Sequence, residues 1–363
     1  VRNVEGAEGE HIQVRLRHAA KADSEWQVFQ QHSSRRLAAM KSYRWLGSGL
    51  LAIILCSPAV AAERAALVRE AVVYISPDTS SAKLANAERG RELIILETTR
   101  GWLHVEALLG PARNSDPAFV DEEEDAQKTV TGWVLDRGIV RPSTAEGDKV
   151  LYGEAADSED EATRRHGRRG AAQDAMRLYR RVYDDFPNSP LAAQALYRAA
   201  DIRWQLEKED VSSRPSARTK EAYLREGMNE QWLKLVIKKF PGTRWAELAA
   251  FNLLDNKLCG EWQGSSKCPE KEADIYEKYG DEHPNSPAAG QALYNAAWRR
   301  SALIQIYKTE EQPKKSEESK NRAIALAQKV VTQYAQQTDW STRAQRLIYL
   351  IQQNVPTYGN AVE

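Results

Sequence analysis

The residues of this 363-residue chain with the most specific chemistry are its three cysteines and six histidines. Cys259 and Cys268 bracket the loop CGEWQGSSKC, while Cys56 stands far from both. A thioredoxin-type redox centre needs Cys-x-x-Cys at a helix N-terminus, which this spacing does not give. The histidines beyond residue 62 are His104, His166 and His283. None lies at a metal-binding spacing from another histidine, a cysteine or a carboxylate pair. The sequence contains no Gly-x-Ser-x-Gly elbow, no Walker loop and no His-Glu-x-x-His. Nucleophilic, metal-assisted and phosphate-handling catalysis therefore lack their residues. A non-enzymatic chain without metal or cofactor is expected.

What the cysteines do depends on the compartment. From Met40 the sequence reads MKSYRWLGSGLLAIILCSPAVAAER, with Lys41 and Arg44 ahead of the apolar run Leu46 to Cys56. The small-x-small site Ala59-Val60-Ala61 follows. This is the pattern of a secretory signal over 40–61, with cleavage expected between Ala61 and Ala62. The apolar run is too short to cross a hydrocarbon core of about 30 Å, so no transmembrane span is expected in the mature chain. Residues 1–39 are read as an upstream over-extension, disordered, with synthesis beginning at Met40. Leu55 is large where a lipobox needs a small residue, so acylation of Cys56 is the alternative reading. An exported chain cleaved at Ala61 keeps only Cys259 and Cys268, most simply as a disulfide, with two free thiols as the alternative. Closing a ring of about ten residues contributes roughly 2–3 kcal/mol.

Lys+Arg and Asp+Glu are both 51, and the chain after Ala61 keeps 43 basic against 46 acidic residues. Nothing in that balance points to nucleic acid. The short runs DEEED (Asp121 to Asp125) and RRHGRR (Arg164 to Arg169) read as solvated surface.

Two stretches must position whatever the chain recognises. Residues 64–142 carry strand signals: AVVYI from Ala71, LIIL from Leu93, GWLHV from Gly101, TGWV from Thr131 and GIV from Gly138. Alternating and β-branched runs of this length, separated by glycine turns, predict a small β-barrel of five strands with an acidic insert at 107–129. Residues 149–359 repeat a phrase instead. FPNSPLAAQALYRAA begins at Phe186 and HPNSPAAGQALYNAA at His283. Phe240 and Tyr334 mark the same place in two looser copies, giving spacings of 54, 43 and 51 residues. Seven positions earlier stand Tyr179, Leu233, Tyr276 and Ala327; three or four earlier stand Tyr183, Ile237, Tyr279 and Val331. That is one face of a helix approaching a turn. Ser189, Thr243 and Ser286 are expected to cap the helix that follows, with Pro190 and Pro287 at its first position. Ala195, Ala199, Ala292 and Ala296 let the two helices approach closely. About nine helices result, with polar inserts expected at Glu207–Arg218, Cys259–Glu270 and Lys308–Ser319.

The paired glycine–tryptophan elements GWLHV and TGWV, after AVVYISPDTSS and GRELIIL, resemble the bacterial Src-homology-3-like domain. The proline turn between a tyrosine-bearing and an alanine-rich helix resembles tetratricopeptide repeats of the outer-membrane assembly and cell-division coordinator kind. The first resemblance implies a module that binds cell-wall peptides or protein segments in an aromatic groove, here Tyr74, Trp102 and Trp133. The alternative is that these rings fill the barrel core, where at least one tryptophan is expected. The second implies a solenoid that holds a protein partner. The combined expectation is an exported scaffold or adaptor in a bacterial periplasm or cell envelope. A lipid-anchored component of an outer-membrane assembly complex and an accessory to a cell-wall hydrolase are the alternatives.

Overall fold

The computed structural model describes residues 63–109 and 129–358. The signal segment, the Ala61–Ala62 cleavage site, Cys56 and the DEEED run lie outside the described residues.

Seven strands form one antiparallel sheet: β1 (Glu63–Leu67), β2 (Ala71–Tyr74), β3 (Lys83–Ala87), β4 (Glu92–Thr99), β5 (Trp102–Leu108), β6 (Thr129–Leu135) and β7 (Ile139–Val140). Their order is β3-β2-β6-β5-β4-β1-β7. The sheet is curled into a half-barrel, with β3 and β7 at its ends, where the sequence predicted a barrel of five strands. The two unanticipated strands, ERAAL and KLANA, have few of the β-branched residues that announce a strand. β5 continues through Leu108, whose register partner is Thr129, so both ends of the expected acidic insert belong to strands. Leu67, Val73, Leu93, Leu103, Val105 and Val134 are fully buried on the inner face.

Nine helices follow among the described residues: α1 (Gly147–Thr163), α2 (Ala171–Asp185), α3 (Ala192–Ser213), α4 (Gln231–Lys239), α5 (Arg244–Asn252), α6 (Lys267–Glu282), α7 (Ala289–Thr309), α8 (Pro313–Gln333) and α9 (Thr338–Gln352). After α1 they pair as four successive hairpins. Phe186, Phe240, His283 and Tyr334 are the C-cap residues of α2, α4, α6 and α8. Their φ values lie between −129° and −120° and their ψ values between 30° and 58°. In each, the carbonyl accepts from the N–H three residues on: Ser189, Thr243, Ser286 and Gln337, at 2.9–3.3 Å. The same turn is built four times, although the fourth copy lacks the proline.

The seam residues are Tyr179, Leu233, Tyr276 and Ala327 with Val182, Val236, Tyr279 and Val330, all buried. The inward position is thus uniformly four before the turn, and Tyr183, Ile237 and Val331 are only half-buried. Thr243 caps α5 by accepting from the Ala246 N–H at 3.3 Å. Ser189 and Ser286 instead accept from Leu191 and Ala288, two residues on, at 3.1 Å each. Pro190 and Pro287 therefore sit in the turn, ahead of helices that begin at Ala192 and Ala289.

The inserts differ from expectation as well. α3 extends through Ser213, so the connection to α4 is residues 214–230, with short 3-10 turns at Pro215–Arg218 and Ala222–Leu224. The disulfide loop gives way to α6 at Lys267. The stretch Lys308–Ser319 is almost all helix, broken only by a three-residue turn before Pro313. Its serines hid it: Ser316 and Ser319 are buried, and Ser316 donates to the Ile304 carbonyl at 2.8 Å. The long spacing of the last repeat comes from longer helices.

Sheet and helices share a core. In β1, Ala65 and Leu67 pack into the sheet, while Ala66 joins Val68 and Val140 in a cluster with Leu151, Leu178, Val182 and Leu196 of the helices. Gly90 (φ +74°) lies so close to α2 that a Cβ there would stand 2.5 Å from Arg177 Cβ and 2.9 Å from the Leu178 nitrogen. The Arg177 guanidinium donates to the Arg89 carbonyl at 2.9 Å and pairs with Asp174 at 2.5 Å and Glu88 at 3.4 Å. Arg181 pairs with Glu92 at 2.9 Å.

Candidate functional site

Alternation along β5 sends Leu103 and Val105 inward and Trp102 and His104 to the opposite face. On β6 the same rule sends Val134 inward and Trp133 outward. His104 stands across from Trp133, and Trp133 from Tyr74 on β2, so the rings of three strands meet on one face. Tyr74 meets Trp102 edge-on at 5.6 Å, and His104 stacks on Trp133 at 4.8 Å with 23° between planes. Gly132 makes this possible. A Cβ at that position would stand 2.6 Å from the Tyr74 carbonyl and 2.7 Å from Val73 Cγ1, so a side chain would push β2 off β6.

The three expected groove residues are therefore brought together, and His104 joins them. Neither tryptophan belongs to the sheet core, contrary to the expectation that at least one would fill it. Aliphatic residues and alanines fill that core instead. Trp102 and Trp133 are half-buried, and Tyr74 is covered by its neighbours to 9% exposure. Glu97 and Thr99 of β4 stand beside His104 and Trp102, and Glu106 follows on β5. The surface offers half-exposed π faces with a carboxylate rim. It can stack planar groups and attract cationic ones.

The helices hold two further sets of groups. Trp232 of α4 lies between the guanidinium groups of Arg180 and Arg203, at 4.8 and 4.9 Å. Arg203 is itself held by buried Glu207 at 2.8 Å. The second set surrounds the disulfide. Cys259 and Cys268 are bonded, with Cα atoms 6.0 Å apart. Buried Glu272 accepts from the Cys259 N–H at 3.0 Å and from Arg299 at 2.6 Å. Trp262, in the loop the disulfide closes, packs on Trp298 at 5.3 Å and on Tyr358 at 5.1 Å. Sequence reasoning found the cysteines but not this aromatic cluster, whose members come from three separate segments.

A cleft of about 380 Å³ opens where the segment before α1 meets the turn after α2. Phe186, Pro187, Glu146, Asp148 and Asp185 line it. The Ser189 hydroxyl, donating at 2.6 Å, holds the Asp148 carboxyl below its usual range. Burial pushes the Asp185 carboxyl up to about 6, against the opposing pull of Arg181.

No family model matches the chain, and no curated protein matches it. Among the described residues, no helix is long and apolar enough to cross a membrane.

Proposed function

We propose that this chain is a non-enzymatic scaffold or adaptor of the bacterial cell envelope. The helical array, read as tetratricopeptide-like, holds a segment of a protein partner. The half-barrel, read as Src-homology-3-like, offers Tyr74, Trp102, His104 and Trp133 to a cell-wall peptide or an extended protein segment. One observation carries the reading: the rings of Tyr74, Trp102, His104 and Trp133 gather on the outward face of a sheet that packs, through Ala66, Val68 and Val140, against α1 and the first two of four repeated hairpins. The disulfide supports export, because such bonds persist in oxidising compartments.

Titration of the full chain with cell-wall peptide fragments, followed by tryptophan fluorescence, tests the sheet-face half. A saturable change that Trp102→Ala weakens at least several-fold is expected. No change at millimolar peptide would remove the ligand from this face.

A further inference from the structure

Two register shifts decide which side chains flank the aromatic face. On β4 the pairing with β5 steps from Ile95 to Glu97, and on β3 the pairing with β2 steps from Ala85 to Lys83. Without these shifts, Leu96 would stand across from His104 and Leu84 across from Tyr74. With them a charged residue takes each place, the re-aiming that bulges perform beside binding sites. One line of register partners then crosses five strands: Glu97 of β4, His104 of β5, Trp133 of β6, Tyr74 of β2 and Lys83 of β3. An acid ends the line on one side, a base ends it on the other, and three rings lie between.

Both ends are open to a ligand. Glu97 and Lys83 are exposed, and Glu106, two residues beyond His104 on the same face, is half-buried. Among the described residues, none of the three makes an ion pair or a side-chain hydrogen bond. The other carboxylates on strands are neutralised within the fold: Glu63 by Arg141 at 3.9 Å, and Glu92 by Arg181 at 2.9 Å and Arg64 at 3.3 Å. Neighbouring strands lie about 4.8 Å apart, so the four spacings from β4 to β3 separate the charged ends by roughly 19 Å. An extended peptide covers that span in about six residues, at ~3.4 Å each.

We propose that this face takes an extended peptide laid across the strands, with a cationic group at Glu97 and Glu106 and a carboxylate at Lys83. Its middle residues lie over His104 and Trp133, and the aromatic faces also favour the cationic end. This rests on the reading of the face as a ligand surface, to which it adds the ligand's length and polarity. The charged contacts are exposed, so each changes affinity by roughly two- to five-fold and weakens in salt.

Tryptophan fluorescence of the full chain, titrated with four capped hexapeptides, tests it. All carry phenylalanine in the middle and alanine elsewhere; the first residue is lysine or glutamine, and the last is aspartate or asparagine. The lysine–aspartate peptide should bind tightest, and each neutral replacement should weaken it roughly two- to five-fold. Glu97→Gln with Glu106→Gln should abolish the preference for lysine and keep that for aspartate, and Lys83→Gln should do the reverse. Four peptides that bind equally well would overturn the polarity while leaving the face a ligand surface. Four peptides that leave the fluorescence unchanged at millimolar concentration would remove both.

Discussion

Replacing Gly90 by alanine strikes the joint between sheet and helices at its tightest point. The residue is held at φ +74°, where a side chain costs about 1–2 kcal/mol. The added Cβ would also meet Arg177 Cβ at 2.5 Å and the Leu178 nitrogen at 2.9 Å. Those are fixed atoms of α2, so the helix or the turn must move. Movement weakens the bond from Arg177 to the Arg89 carbonyl, a charge-assisted contact worth about 1.5–3 kcal/mol. The expected cost is about 3–5 kcal/mol, or roughly 5–8 °C in a protein of this size. Gly101→Ala is the control. It has the same sign of φ, at +77°, but nothing lies within 4 Å of its Cβ. It should cost only about 1–2 kcal/mol. Thermal unfolding of both variants by circular dichroism gives the comparison. Equal losses would mean that the sheet does not depend on α2, and the shared core would lose its main support.

Three other outcomes follow from the same contacts. Glu272→Ala leaves the Arg299 guanidinium without its buried partner and the Cys259 N–H without an acceptor, so a loss of about 3 kcal/mol in urea unfolding is expected. Cys259→Ser with Cys268→Ser should cost roughly 2–3 kcal/mol; reductant should lower the wild type equally and leave the double variant unmoved. Asp185 is an acid whose folded pKa of about 6 exceeds that of the unfolded chain. Its contribution is present below about pH 4 and lost as pH rises towards 6. Because the group is partly solvated, the loss is on the order of 1 kcal/mol. Comparing wild type with Asp185→Asn between pH 4 and pH 7 should show a decline in the wild type that the variant lacks, with Arg181, Asp184, Glu92 and Arg64 as the neighbouring charges.

The parts of the fold written in punctuation were legible in the sequence. Proline, serine or threonine and the residue before them marked the turns at Phe186, Phe240 and His283, and the aromatic spacing carried the comparison to Tyr334. The disulfide followed from Cys259 and Cys268, the pair left once residues 40–61 are read as a cleaved signal. Segments whose letters contradict their burial were not legible. KKSEESKN reads as a loop, yet its serines are the small residues that let α8 approach α7. ERAAL has no β-branched residue to announce a strand, yet its alanines fit β1 between two cores. Tyr74, Trp102 and Trp133 were found as a set, but their face was set by the register of three strands, and strand register depends on partners distant in sequence. The contact of Gly90 with Arg177 links residues far apart in the chain and leaves no local sign.

Central to the proposed function is a protein partner held by the helical array. Photo-crosslinkers placed in cells at Lys234 of α4 and Lys278 of α6, whose side chains are 65% and 72% exposed, test that claim most directly. One discrete adduct, shared by neighbouring exposed positions of the first helices and lost when the array is unfolded by Leu233→Asp, is the predicted result. A chain that yields no discrete adduct from any exposed position of α2, α4, α6 or α8 would contradict it.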